Sequence, residues 1–165
     1  MVAVGEAEPA VGKLRRELDP VARLGVPAHV TILFPFMPSE QLDDDVMLRL
    51  TGLFRSVPAF EHEFVRSAWF GDEVLWLASD ADAVFRSLTK LVADAFPEYP
   101  PYEGQFDDVV PHLTIAAHGP LDAMQAADRT VQPHLPISTI TRAVTLMVER
   151  PTGGWEAAES FALGD

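Results

Sequence analysis

Short runs of β-branched and alternating residues trade places along this chain with stretches whose apolar positions recur at threes and fours, so strands and helices are expected in alternation. Met1 to Val4 reads as a first strand. From Glu8 to Leu24, Val11, Leu14, Leu18, Val21 and Leu24 follow one helical face that Pro20 interrupts. Val26 to Phe34 is strand-like and closed by Pro35 and Pro38. Ser39 is the expected N-cap of a second helix, which has Asp43, Asp44 and Asp45 near its start and Leu42, Val46, Leu50, Leu53, Phe54 and Val57 on its buried face. Phe60 to Ser67 and Glu73 to Ser79 form an expected antiparallel hairpin around Gly71-Asp72. Asp80 is placed to cap a helix reaching Ala95, with a stripe of Val84, Leu88, Leu91, Val92 and Ala95. Val109 to Ala117 reads as another strand, Leu121 to Asp128 as a short helix, and Ile137 to Glu149 with Trp155 to Leu163 as a last hairpin turning at Gly153-Gly154. The order is βαβαββ followed by αβαββ, an α+β pattern.

Composition narrows the possible partners. The 165 residues, 48% of them hydrophobic, suit one domain spanning 1–165. Twelve Lys and Arg stand against 25 Asp and Glu, a net charge of -13, so a diffuse basic surface for long nucleic acid is excluded. The chain has no Cys, which removes thiolate metal ligands and a cysteine nucleophile. No apolar run is long enough to span a bilayer, and a soluble, cytoplasmic monomer is expected.

An internal repeat carries the chemistry. Val26-Pro27-Ala28-His29-Val30-Thr31-Ile32 aligns with Val109-Val110-Pro111-His112-Leu113-Thr114-Ile115, identical at four of seven positions and 83 residues apart. Alternate residues of a strand share a face, so His29 with Thr31, and His112 with Thr114, form two polar pairs while Val30, Ile32, Leu113 and Ile115 face the core. A polar pair on an apolar strand is costly unless water or a ligand satisfies it, which places both pairs on the walls of a cleft between two similar lobes. Facing imidazoles suit phosphodiester chemistry, one taking a proton from water and the other giving one to the departing oxygen. The threonine hydroxyls are placed to donate to non-bridging phosphate oxygens. Basic residues near the motifs are few, with Arg23 before the first and none between Lys90 and Arg129, so an arginine that clamps phosphate must come from elsewhere in the fold.

The tandem His29-Val30-Thr31 and His112-Leu113-Thr114, with the stretch from Pro100 to Pro111, resembles the 2H phosphoesterase superfamily in its 2'-5' RNA ligase-like branch. The resemblance implies a bilobal, pseudo-twofold α+β fold, with two antiparallel sheets forming a central cleft and helices outside. It implies His29, Thr31, His112 and Thr114 as the catalytic residues, with no cofactor. The expected reaction is metal-independent hydrolysis of a 2',3'-cyclic or related cyclic phosphodiester on a nucleotide or short RNA end. A non-catalytic nucleotide- or phosphate-binding module and a 2'-5' RNA ligase are the alternatives.

Other residues compete for roles. Tyr102 and Tyr99, and Phe34 and Phe36, flank the motifs and offer faces on which a base can stack, Tyr102 and Phe34 being the substrate-binding candidates. His62 shares a face with Phe60 and Phe64 and is expected to be a satisfied, buried histidine. His118 and His134 fall at a strand end and in a loop and are expected in solvent, and Trp69, Trp76 and Trp155 are assigned to packing. A metal reading would join His29 and His112 to Asp107 or Asp108, but no compact ligand spacing supports it, so no metal is expected. Gly153-Gly154 is read as a turn, not a phosphate loop, because no helix follows it.

Overall fold

Prolines and capping carboxylates cut the chain into its elements, and a computed structural model describes residues 1–106 and 108–165 of the result. Strand β1 (Val2–Ala3) leads into helix α1 (Glu8–Leu18), which carries a proline in its first turn. Pro20 then opens a separate one-turn helix, α2 (Pro20–Arg23), capped by the Asp19 carboxylate on the Val21 amide at 3.1 Å. Strand β2 is only His29–Val30, far shorter than the run from Val26 to Phe34, because the chain leaves the ladder straight after pairing with β1. Helix α3 (Asp44–Arg55) is capped by Asp43, whose carboxylate accepts from the Val46 amide at 2.9 Å. Ser39, the expected cap, sits instead in a 3-10 turn and bonds Glu40.

Strands β3 (Phe60–Phe70) and β4 (Val74–Ser79) form the expected hairpin. Helix α4 (Asp82–Ala95) starts one residue later than a cap at Asp80 would require, because that carboxylate accepts from the Glu63 amide instead. Its buried face runs through Phe85, Leu88, Thr89 and Val92, rotated from the expected stripe so that Val84 and Leu91 are only half-buried. Strand β5 (Leu113–Ala117) and helix α5 (Leu121–Val131) follow. The expected strand from Ile137 to Glu149 breaks at Arg142 into β6 (Ile137–Thr141) and β7 (Ala143–Glu149), since β6 pairs with β3 while β7 pairs with β8 (Trp155–Ala162).

One sheet has the order β5-β4-β3-β6 and is antiparallel throughout. The β1–β2 pair and the β7–β8 hairpin are joined through Met1 and Thr145, which exchange backbone hydrogen bonds of 2.8 and 2.7 Å. This makes a second four-strand array, β2-β1-β7-β8. The halves of the sequence therefore exchange strands: β3 and β4 build the array that ends in β5, and β7 and β8 build the one that ends in β2. The lobes are not the two sequence repeats folded separately. Both motif strands lie at an edge, and β2 packs against β5. Helices α1 and α5 pack on β5, while α3 packs on β8 and α4. A continuous apolar cluster joins the layers, running from Val2 and Val11 through Ile32, Phe64, Leu77, Phe85 and Ile115 to Met124 and Phe161. Among the described residues no helix is long and apolar enough to cross a membrane.

Within the apolar interior, Arg15 on α1 pairs with Asp19 at 2.8 Å, both side chains being only 2% and 3% exposed. The Arg15 Nε has no partner among the described residues. Removing one member of such a pair strands the other charge in low dielectric, whereas neutralising both removes the problem. Asp19→Ala is expected to lower unfolding free energy by about 3–5 kcal/mol. The double variant Arg15→Met, Asp19→Asn, which keeps an acceptor for the Val21 amide, is expected to recover most of that loss in urea unfolding.

Candidate active site

The two motifs build their histidines in the same way. Nδ1 of His29 lies 2.8 Å from the Pro27 carbonyl, and Nδ1 of His112 lies 2.7 Å from the Val110 carbonyl, in each case the carbonyl two residues upstream. A carbonyl only accepts, so each Nδ1 carries a proton and donates it. Each Nε2 is left with an available lone pair and no partner among the described residues. The period-two expectation also holds: Val30, Ile32, Leu113 and Ile115 are buried in the core, while His29, Thr31, His112 and Thr114 are half-buried on the opposite face.

All four residues line a single cleft of about 1420 Å3 between the two arrays, together with Tyr102 and Phe34. The loop bearing Tyr102 is tied to the first motif by the Tyr102 amide, which donates to the Phe34 carbonyl at 2.7 Å. Tyr102 and Glu103 both adopt left-handed backbone angles, φ 49 and 56, which turn that loop over the cleft. Burial pushes the Tyr102 phenol up, partly offset by a hydrogen bond with the Thr31 side chain. Ahead of the second motif, Arg86 holds both the Asp108 carboxylate and, at 2.7 Å, the Val109 carbonyl. Asp108 is therefore committed to an arginine, and Asp107, the other carboxylate of the metal reading, lies outside the described residues. Among the described residues no group of three or more His, Asp or Glu is arranged to hold a metal ion.

The surroundings of the two rings differ. His112 lies edge-on to Phe70 and Trp76, at centroid distances of 5.0 and 5.9 Å, so Trp76 supports a motif residue as well as packing. His29 has the buried Arg15–Asp19 pair nearby, and Asp19 itself lines the cleft. Burial, opposed by the Pro27 carbonyl bond and reinforced by the Arg15 charge, lowers the His29 imidazole to about 4. Burial also lowers His112, against the opposing bond to Val110.

The family model of the 2'-5' RNA ligase superfamily matches residues 4–152. The chain belongs to the 2'-5' RNA ligase superfamily. The membership expected from the paired His-x-Thr motifs is thus the observed one. No curated protein matches the sequence. Among solved structures, TT0787 of Thermus thermophilus is similar in fold, with a TM-score of 0.65 at 19% identity over 99% of this chain and 96% of that one. The α+β arrangement of antiparallel sheets and helices expected from the resemblance is confirmed by this likeness.

Two cleft residues of this superfamily member escaped the sequence pattern. Arg150, at the end of β7, is the sole Lys or Arg lining the cleft among the described residues. Its guanidinium sits against the β7–β8 turn, where a Cβ on Gly154 would lie 2.7 Å from its Nη2. A Cβ on Gly154 would also lie 2.8 Å from the Leu24 carbonyl oxygen, and with φ at 83 this backbone approach is what requires the glycine. Trp155, assigned to packing from sequence, faces the cleft and meets Phe34 edge-on at 6.1 Å. The three other histidines stand as expected. His62 is buried between the Ser79 and Thr141 hydroxyls at 2.9 and 3.0 Å, and His118 and His134 are exposed.

A histidine held at about 4 when folded, against 6.5 when unfolded, makes the unfolded chain bind more protons between those values. Stability is therefore expected to be complete above pH 6.5 and to fall as pH drops toward 4. His29→Gln should flatten that slope in urea titrations, and imidazole NMR of the wild type should place His29 well below 6.5.

Proposed function

We propose that the protein is a metal-independent phosphoesterase that opens a 2',3'-cyclic or related cyclic phosphodiester on a nucleotide or short RNA end. One observation carries the reading: matched Nδ1–carbonyl bonds leave the Nε2 atoms of His29 and His112 available on one cleft. Superfamily membership supports a phosphoesterase or ligase-like activity.

In the reaction, neutral His29 accepts a proton at Nε2 from water as the water oxygen attacks phosphorus. The opposite P–O bond of the ring breaks, and its electron pair stays on the departing oxygen. Protonated His112 gives that oxygen a proton from Nε2, leaving a phosphomonoester, and proton return through solvent resets the pair. Thr31 and Thr114 donate to the non-bridging oxygens, whose charge grows in the transition state. Arg150 steadies the anion from the cleft wall. Tyr102 and Phe34 contact the body of the substrate, and no cofactor takes part. The base role is assigned to His29, whose imidazole burial lowers to about 4 and so keeps neutral near pH 7. The superfamily description favours a second reading, ligation, in which a ribose hydroxyl replaces water and the histidines keep their roles.

The expected signatures follow from these roles. His29→Ala and His112→Ala should each lower kcat by about 10²–10⁴, with circular dichroism unchanged, and chelator should leave the wild-type rate intact. Both imidazoles are lowered, so the bell of kcat/KM against pH should lie on the acid side of 6.5, its acid limb near 4 reporting His29. Cleavage of a 2',3'-cyclic nucleotide by the His29→Ala, His112→Ala double variant at the wild-type rate would overturn the assignment.

A further inference from the structure

The walls and the charges of the cleft do not match those of a groove for a polyanion. Phe34 and Phe106 line it while 48% and 59% exposed, an arrangement that leaves large apolar rings in water unless something covers them. Trp155 stands edge-on to Phe34 at 6.1 Å, and Tyr102 edge-on to Phe106 at 5.5 Å, so two aromatic pairs flank the cleft. Against the single guanidinium of Arg150, the lining carries Asp19, Glu40, Glu73, Asp108 and Glu149. Arg15 neutralises Asp19, and Arg86 is shared between Asp108 and Asp82. Glu40, Glu73 and Glu149 have no ion-pair partner among the described residues. Met1 also lines the cleft, but its amine donates to the Thr145 carbonyl at 2.8 Å, and burial lowers it to about 5. The whole molecule, at -13, reinforces the sign.

We propose that the substrate is a phosphodiester monoanion on a large, flat apolar body and that the cleft rejects molecules carrying additional phosphates. One phosphate meets Arg150, the two imidazoles and the threonine hydroxyls, and the body lies between the aromatic pairs. Each further phosphate would stand among Glu40, Glu73 and Glu149 with no cation to receive it. A nucleoside 2',3'-cyclic monophosphate has this chemistry; the same nucleoside with a 5'-phosphate, or an oligonucleotide ending in a cyclic phosphate, does not. The proposal rests on the cleavage reaction assigned above, and it narrows the substrate to exclude the RNA end.

The direction of the salt effect tests it. Nucleic-acid binding through released counterions weakens as salt rises, whereas like-charge repulsion is relieved. Adenosine 2',3'-cyclic phosphate, its 5'-phosphorylated form and a short oligonucleotide with a 2',3'-cyclic end should be compared from low to high salt. At low salt, kcat/KM is expected to favour the plain nucleoside by about tenfold or more. Raising the salt should increase kcat/KM for the two phosphate-rich compounds and narrow the gap. Glu73→Gln with Glu149→Gln should narrow it at low salt, while Arg150→Gln should weaken all three compounds. Equal or better use of the oligonucleotide, declining with salt, would overturn the proposal. Should none of the three be cleaved, the assigned reaction fails, and calorimetric binding of the same compounds decides the selectivity: tighter binding of the plain nucleoside upholds it, and tighter binding of the oligonucleotide, weakened by salt, overturns it.

Discussion

Each motif imidazole donates a hydrogen bond from Nδ1–H to the backbone carbonyl two residues upstream, and the arrangement of the cleft follows from that bond. The carbonyl fixes the tautomer, and the tautomer leaves Nε2 with the available lone pair. The ring is tied to its own backbone, so its position depends on the path of an edge strand and not on a distant side chain. Placing β2 and β5 at the edges of two arrays that pack together then lets two separate segments supply one cleft.

The backbone symmetry of the site is not matched by its surroundings. His29 has a buried arginine–aspartate pair close by, and His112 has an aromatic pair, Phe70 and Trp76, stacked at 4.7 Å. A charged neighbour and an apolar neighbour act differently on an imidazole even when the hydrogen bond to Nδ1 is the same. Matching strands thus deliver two imidazoles that burial lowers alike but whose neighbours differ. The strand exchange between halves contributes to this difference, because the sheet neighbours of β5 come from the first half of the sequence and the hairpin beyond β1 comes from the second.

What the sequence made legible was local. The two-residue period put His29 and Thr31 on one face and Val30 and Ile32 on the other, and the repeat did the same for the second motif. The crossing at Arg142 left no mark in composition, since the residues on both sides are β-formers and only pairing partners separate them. Ser39 and Asp43 both offer capping oxygens, and the helix begins after the second. Asp80 was drawn away from its expected cap by an amide on β3, a contact distant in sequence. Arg150 and Trp155 were silent for a related reason: one reaches the cleft through a glycine turn and the other through a neighbouring strand, and neither lies near a motif.

Imidazole 15N NMR during a titration with inorganic phosphate tests the central claim most directly. If both rings serve one anion site, the Nε2 resonances of His29 and His112 should shift together along a single binding curve while both Nδ1 atoms stay protonated. A response from one ring alone, two different curves, or an unprotonated Nδ1 in either ring would contradict it.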